Sequence, residues 1–278
     1  MQHHIFMRFP EGRSKALTLS YDDGVIEDIR LMEILDKHGL KCTFNINSGR
    51  FAPEGTNTRR MTKSQATELY TNSGHEVAVH GTMHPWLETL PTAAVVLDVI
   101  NDRKLLEEQF GTIVRGMAYP YGTYNDSVVE ALRACGIVYS RTVKATEKFE
   151  IPTDWLRMPA TCHHNNPRLM ELAKKFAESA PRRPQLFYLW GHSYEFDDNN
   201  NWNVIEEFAE YMGNRDDIWY ATNIEIYDYI DAYNKLVFST DAHTVYNPTA
   251  KTIYFASSAA RADEDKIYSI APNETIKI

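Results

Sequence analysis

The sequence is poor in cysteine, glycine and proline. Its three thiols, Cys42, Cys135 and Cys162, are too few and too widely spaced for a disulfide framework or a zinc knuckle. Thirteen glycines and 12 prolines in 278 residues exclude a collagen-like or low-complexity chain. We therefore predict a globular protein whose cysteines are reduced and belong to its core.

Long apolar runs and an excess of positive charge are also missing. No stretch approaches the ~18 apolar residues of a membrane span, and the first ten residues lack the apolar segment of a signal peptide. Twenty-nine Lys and Arg against 38 Asp and Glu give a net charge of −9, which repels phosphate backbones and anionic lipids. We expect a cytoplasmic protein with no nucleic-acid and no membrane partner; its oligomeric state is left open.

Apolar runs alternate with segments of helical periodicity up to residue 235. Predicted strands cover residues 16–20, 42–46, 76–79, 113–119, 137–140, 186–190 and 218–221, and predicted helices cover residues 25–38, 63–73, 92–110, 125–134, 167–179, 204–212 and 224–235. This alternation is typical of parallel strands joined by crossover helices, in a closed barrel or an open sheet, and we favour the barrel.

The pattern changes at residue 236. Short strands with intervening turns are predicted at residues 236–239, 252–256, 266–270 and 275–278. We therefore predict an α/β protein of two units, a (β/α) barrel over residues 1–235 and a small C-terminal β segment over residues 236–278 that packs on the barrel.

Two polar clusters directly follow predicted strands and offer metal ligands. Asp22 and Asp23 are adjacent carboxylates that repel each other unless a cation or a shared proton intervenes, although such a pair alone is more often a polar turn. His80 and His84 lie in a loop, because Pro85 makes a continuing helix unfavourable. Two imidazoles and a carboxylate suit zinc, but one exposed and one packed histidine is an equally good interpretation of the pair alone.

Two further clusters follow strands in the same way. The turn at residues 119–122 contains Pro120 and Tyr121 and could present backbone N–H groups to an oxyanion. His192 follows Trp190 and could donate a proton, with Glu195 or Asp197 near enough in sequence to influence it. Because the carboxyl ends of parallel strands share one face, four such clusters together favour a metal site over ordinary packing. Residues 161–166, which include His163 and His164, are left as either site or solvated loop.

The ordered motifs resemble those of the polysaccharide deacetylases, the NodB-homology domain of carbohydrate esterase family four. Residues 20–24 (Ser-Tyr-Asp-Asp-Gly) resemble the first family motif, residues 80–84 (His-Gly-Thr-Met-His) the second, residues 119–122 (Tyr-Pro-Tyr-Gly) the third and residues 190–192 (Trp-Gly-His) the fifth. The likeness spans about residues 16–229. It implies a distorted seven-stranded (β/α) barrel, TIM-like in plan, and metal-dependent hydrolysis of an N-acyl or O-acyl group.

The resemblance also implies roles for individual residues. Asp23, His80 and His84 would bind the metal ion. Asp22 would be the general base, His192 the general acid, and the Tyr121 N–H would stabilise the oxyanion. A divalent ion that polarises the acyl oxygen and water agrees with these roles.

Three positions depart from the family pattern. Ala118 stands where an arginine commonly orients the base, and we consider Arg157 as its replacement. The Asp-Trp element of the fourth motif is not clearly present, since Asp154 and Trp155 lack its context. Trp190 replaces the leucine of the fifth motif and would reshape the pocket for an acetyl methyl group.

The sequence therefore predicts a metal-dependent deacetylase acting on an N-acetylated sugar or oligosaccharide. Two alternatives stay open: an amidohydrolase for small non-peptide C–N bonds, and a non-catalytic module that binds carbohydrate or metal. Zn²⁺ is the expected ion, although Co, Ni, Mn or Fe would also accept two imidazoles and a carboxylate.

Overall fold

A computed structural model describes residues 3–259 and 265–278. Residues 1–2 and 260–264, which belong to the predicted 1–235 and 236–278 units, lie outside the described residues. The β-strands are, in chain order, β1 (His3–Arg8), β2 (Lys15–Asp22), β3 (Cys42–Ile46), β4 (Glu76–Val79), β5 (Gly116–Ala118), β6 (Tyr139–Ala145), β7 (Met158–Ala160), β8 (Cys162–His163), β9 (Gln185–Gly191), β10 (Ile218–Tyr220), β11 (Val237–Phe238), β12 (Thr244–Tyr246), β13 (Ile253–Ala259), β14 (Lys266–Ile270) and β15 (Thr275–Lys277).

The helices alternate with the strands of the first 235 residues. They are α1 (Asp28–Lys37), α2 (Lys63–Tyr70), α3 (Thr92–Phe110), α4 (Asp126–Ala134), α5 (Leu169–Ala177), α6 (Tyr194–Asp198), α7 (Asn203–Met212) and α8 (Asn223–Asn234). Capping boxes formed by Thr62 and Thr222 begin α2 and α8, and the Asn125 side chain caps α4. Among the described residues, no helix combines the length and the apolar character needed to cross a bilayer.

The main sheet is parallel and has the strand order β7-β6-β5-β4-β3-β2-β9-β8, with β10 pairing with the start of β2. Only Thr161 separates β7, which pairs with β6, from β8, which pairs with β9. These two short strands are therefore one stretch of chain that joins the two edges of the sheet. Strands β2 and β3 are buried along their whole length, as expected for parallel strands covered on both faces. The predicted α/β class is confirmed.

Two small antiparallel sheets lie outside the parallel one, in the orders β1-β13-β14 and β11-β12-β15. The four predicted C-terminal strands correspond to β11, β13, β14 and β15. Strand β12 was not predicted, and neither was β1, which pairs with β13 although it precedes the first barrel strand in sequence. Cys42, Cys135 and Cys162 are buried free thiols.

Candidate active site

The parallel order of the sheet brings four polar clusters to its carboxyl edge. Asp22 is the last residue of β2, and His80 comes directly after β4. The turn around Tyr121 follows β5, and His192 comes directly after β9. Because parallel strands end on the same face, side chains far apart in sequence meet there.

Asp23, His80 and His84 form a group of three metal-ligand donors. One donor atom from each lies within 4.8 Å of the others. The Nδ1 atom of His80 lies 2.8 Å from the carbonyl oxygen of Ala118, so we assign the ring proton to Nδ1 and the free electron pair to Nε2. Arg60 contacts the Asp23 carbonyl and donates to Asp23 Oδ1 at 3.1 Å, which leaves Oδ2 available.

The protonation states of these three side chains suit a divalent cation. Burial lowers the pKa of His80, and burial together with His80 lowers the pKa of His84 to about 4, so both rings are neutral at pH 7. Burial opposes ionisation of Asp23, but His80 and Arg60 lower its pKa below the usual value. Among the described residues, the buried Nδ1 of His84 has no hydrogen-bond partner. Two neutral imidazoles and one carboxylate are a donor set for zinc and similar ions, so the residues fit a divalent metal.

Three site residues have left-handed backbone conformations. The φ angles are +90° at Asp23, +57° at His84 and +58° at Tyr121. A non-glycine residue in this region costs roughly 1–3 kcal/mol and persists only where its surroundings hold it. The Asp23 N–H, for example, donates to the Asn45 carbonyl at 2.9 Å. Positive φ angles also occur at seven other non-glycine residues among those described, but within the site they fall at two candidate metal ligands and at the turn beside them.

Asp22 is held as a buried, ionised carboxylate. Asn45 Nδ2 donates to its Oδ1 at 2.8 Å, and Arg141 Nη2 pairs with its Oδ2. Burial would raise the pKa of Asp22, but the Arg141 guanidinium, with His80 and His192, lowers it below the usual value. Oδ2 also lies 3.7 Å from His80 Nε2 and 3.9 Å from His192 Nε2. A base in this position can accept a proton from a water molecule between these groups.

His192 is oriented by a carboxylate on α6. Its Nδ1 lies 2.9 Å from Glu195 Oε1, which turns Nε2 toward Asp22. Burial opposes the charged ring, but Glu195 and then Asp22 outweigh it, and the pKa of His192 is raised. A partly protonated imidazole at this edge of the sheet can act as a general acid.

The turn after β5 supplies a backbone donor and an exposed aromatic surface. Its next two N–H groups, of Gly122 and Thr123, donate to the carbonyls of Tyr119 and Pro120, which leaves the Tyr121 N–H as the candidate for an oxyanion. The Tyr121 ring stacks on Trp86 with centroids 3.7 Å apart and packs edge-on against His84.

A model of the polysaccharide deacetylase family matches residues 10–140, just under half of the chain. The predicted resemblance to this family is confirmed. Peptidoglycan-N-acetylglucosamine deacetylase of Listeria monocytogenes is 26% identical over 122 residues, which are 43% of this chain and 24% of that protein. Chitin deacetylase 1 of Cryptococcus neoformans is 29% identical over 113 residues, 40% of this chain and 22% of that protein. The chain thus matches about a quarter of the length of these curated relatives.

A solved structure covers more of the chain. A Mycobacterium smegmatis protein assigned to the polysaccharide deacetylases aligns with 82% of this chain and 94% of its own, at a TM-score of 0.61 and 16% identity. At this identity the likeness shows the fold alone. It agrees with the parallel sheet described above.

The structure brings together most of the residues that the family motifs predict, with one correction. Asp22, Asp23, His80, His84, Pro120, Tyr121, Trp190 and His192 all lie at the carboxyl edge of the sheet or next to it. Arg157 does not orient the base, since its guanidinium pairs with Asp154 and Asp126 on the surface. The sequence prediction for Arg157 is therefore wrong.

Arg141, rather than Arg157, contacts the candidate base Asp22. Arg141 lies within β6, is 1% exposed, and stacks over the Trp190 ring at 4.2 Å. It directly follows the predicted strand at residues 137–140, so the rule that located the other polar clusters would also have found it. Trp190 therefore packs on the arginine that pairs with Asp22.

The structure also shows where residues 154–155 and residues 161–166 lie relative to the site. Asp154 pairs with Arg157, and Trp155 packs against Tyr227, so the apparent fourth motif lies away from the polar clusters. The undecided segment 161–166 reaches the site, because His163 ends β8 and its Nε2 is 3.4 Å from Glu195 Oε2. Asn45 was not predicted as a site residue. It lies near the carboxyl end of β3, so the rule that polar residues at strand ends meet at the site would have found it, as it would have found Arg141.

Proposed function

We propose that this protein is a metal-dependent deacetylase that hydrolyses the acetyl amide of an N-acetylated sugar or oligosaccharide. The observation that carries the proposal is the position of Asp22 Oδ2, 3.7 Å from His80 Nε2 and 3.9 Å from His192 Nε2. A base, a metal-ligand histidine and an acid therefore meet around one small volume. The names of the curated relatives, which act on peptidoglycan and chitin, support the sugar substrate.

Each catalytic group has a distinct task in this reaction. A divalent ion held by Asp23, His80 and His84 supplies Lewis acidity toward the acyl oxygen and the attacking water. Asp22 accepts the proton that the water loses, and the Tyr121 N–H donates to the oxygen that becomes negative. His192 then gives its Nε2 proton to the departing amine nitrogen, and the products are acetate and a free amino sugar.

The test combines metal analysis with an acetate assay. Wild type, His80→Ala and the control His38→Ala, which alters a histidine at the end of α1, are purified and analysed for bound metal. Acetate release is then measured on N-acetylglucosamine oligomers and on simple acetyl esters. We expect one equivalent of metal and acetate release in wild type and in the control, and loss of both in His80→Ala.

Two results would contradict the proposal. Bound metal without acetate release would favour the amidohydrolase, if other small amides are hydrolysed, or the binding module, if none is. If wild type binds no metal after reconstitution with zinc, cobalt, nickel, manganese or iron, the proposed metal-dependent reaction is contradicted.

A further inference from the structure

Glu195 is surrounded by side-chain nitrogens from two loops. Its Oε1 accepts from His192 Nδ1 at 2.9 Å. Its Oε2 lies 2.8 Å from Asn165 Nδ2, 3.0 Å from His164 Nε2 and 3.4 Å from His163 Nε2. The segment that follows β8 thus meets the loop that follows β9 at this one carboxylate.

The His163 ring has a defined tautomer. Its Nδ1 accepts the backbone N–H of Asn165 at 3.1 Å, so Nδ1 carries an electron pair. Burial and His164 lower the pKa of His163 to about 4, and the single ring proton of the neutral form is therefore at Nε2. A protonated Nε2 has no electron pair for a cation, and its N–H carries partial positive charge 3.4 Å from Glu195 Oε2 without hydrogen-bond geometry. The group His163, His164 and Glu195 has donor atoms as close as those of a metal site, but the histidines act here as neighbours of a carboxylate that Asn165 and His192 bind.

The His164 ring is fixed by packing. It is fully buried and stacks on Phe196, at 4.2 Å between centroids, and on Tyr21, at 5.7 Å. A Cβ at residue 191 would lie 1.9 Å from His164 Nδ1, so only glycine at the end of β9 leaves room for the ring. The contact of Nε2 with Glu195 is close but not well aligned as a hydrogen bond. The His164 ring therefore limits the movement of the Glu195 carboxylate on one side by steric contact.

We propose that His163, His164 and Asn165 are positioning residues that hold Glu195 in the orientation which keeps His192 Nδ1 bound and His192 Nε2 turned toward Asp22. Glu195 lies on the short helix α6, and its side chain is 22% exposed. Without its neighbours, such a side chain would move among several rotamers, and His192 would lose its fixed direction. The effect of this positioning on catalysis rests on the proposed function. Its effect on the orientation of His192 does not.

The orientation of His192 can be measured without any turnover. In metal-loaded protein labelled with ¹⁵N in its histidine rings, the His192 Nδ1–H proton, assigned with His192→Gln, is expected to give a downfield NMR signal that exchanges slowly with water. Glu195→Gln should abolish the signal. His163→Ala and His164→Ala should speed its exchange at least tenfold.

Two further variants separate positioning from general disturbance. His163→Gln should restore slow exchange relative to His163→Ala, because its amide N–H can occupy the position of the Nε2–H beside the Glu195 carboxylate. Asp197→Asn, a carboxylate-to-amide change on the same helix whose partner is Trp202, should leave the signal as in wild type. If His164→Ala fails to fold, His163, whose side chain is 23% exposed, still provides the test.

Three outcomes would overturn the proposal. One is an unchanged exchange rate in both His163→Ala and His164→Ala. Another is loss of one equivalent of metal in His163→Ala in addition to the equivalent lost in His80→Ala, which would make the cluster a second metal site. The third concerns turnover. His163→Ala should lower kcat at least tenfold with little change in KM, and it should lower kcat no further when Glu195 is already changed to Gln. Additive losses in the double variant would contradict action through Glu195. Normal NMR behaviour without acetate release would reject the proposed function and leave the positioning intact.

Discussion

At the residue scale, adjacent carboxylates have different surroundings and different predicted tasks. Asp23 belongs to the group with His80 and His84, whereas Asp22 is held by Asn45 and Arg141. Neighbouring side chains of an extended strand point to opposite faces, but both carboxylates lie near His80, and the +90° φ angle of Asp23 departs from the strand conformation at the end of β2. Of these two neighbouring residues, Asp23 can therefore bind a metal ion while Asp22 accepts a proton from water.

The first prediction separates these two carboxylates. Asp22→Asn should keep the bound metal and lose turnover by about 10²-fold or more, because the amide cannot accept the proton of water. Asp23→Ala should lose the metal itself. Metal analysis and acetate release on both variants check the prediction, and loss of metal in Asp22→Asn would show that the roles are not divided in this way.

The second prediction concerns the arginine that contacts the base. Arg141→Gln should lower kcat by about 10–100-fold while metal content stays unchanged, because Asp22 loses the cation that keeps it ionised and oriented. Arg157→Gln is the matched control, since Arg157 pairs only with Asp126 and Asp154 among the described acidic residues. Steady-state kinetics of both variants give the comparison, and an equal loss in the control would argue against a role for Arg141.

At the element scale, helix α3 fixes two of the loops that form the site. Buried Asp102 accepts the Ser48 N–H at 2.8 Å and the His80 N–H at 3.1 Å. Ser48 follows β3, and His80 follows β4. One side chain on a helix thus holds the ends of two neighbouring strands and, through them, the position of the candidate metal ligand His80.

The third prediction follows from this arrangement. Asp102→Ala should lower the free energy of unfolding by about 2–4 kcal/mol, because two buried N–H groups lose their acceptor, and metal affinity should weaken as well. Glu108→Ala, at an exposed position of the same helix, should change stability by less than about 0.5 kcal/mol. Chemical denaturation with and without metal measures both effects, and equal values for the two variants would count against the loop-fixing role.

At the scale of the whole molecule, the half-buried side chain of Glu76 joins elements that are far apart in sequence. Glu76 on β4 accepts from Tyr139 on β6 at 2.7 Å, from Thr43 on β3 at 2.8 Å and from the Ile224 N–H at the start of α8 at 3.0 Å. Burial raises the pKa of Glu76 to about 7, although these hydrogen bonds oppose the shift. Protons are therefore bound more tightly by Glu76 in the folded protein than in the unfolded chain.

The fourth prediction is a pH dependence of stability. With a raised folded-state pKa, the stabilising contribution of Glu76 is complete below the unfolded pKa of about 4.3 and is lost as the pH rises through about 7. Between pH 5 and pH 8, the stability of wild type should fall by about 2–3 kcal/mol relative to Glu76→Gln. Urea denaturation at both pH values tests this, with Glu68→Gln on α2 as the exposed control. A difference that does not vary with pH would contradict the expected protonation.

Local sequence signals determined most of the alternation of strands and helices, because most of the buried strands are short apolar runs and most of the helices carry an apolar stripe. The short elements β7, β8 and α6 lie outside the predicted strands and helices. The same signals placed Asp22, His80 and His192 at strand ends, where a parallel sheet collects them. Strand β1 was not predicted from these signals, because its conformation depends on pairing with β13, which lies some 250 residues away in sequence. Short strands such as β12 likewise owe their conformation to a neighbouring strand.

Only the tertiary structure decided which charged residues meet. Arg141 and Arg157 are both strand-adjacent arginines in the sequence, but one points to Asp22 inside the sheet and the other pairs on the surface. His163 and His164 likewise acquire a role only because β8 lies beside β9 and Gly191 leaves space for an imidazole. The physical reason is that hydrophobic periodicity is a property of neighbouring residues, whereas an ion pair or a hydrogen bond depends on distances that only the tertiary fold sets.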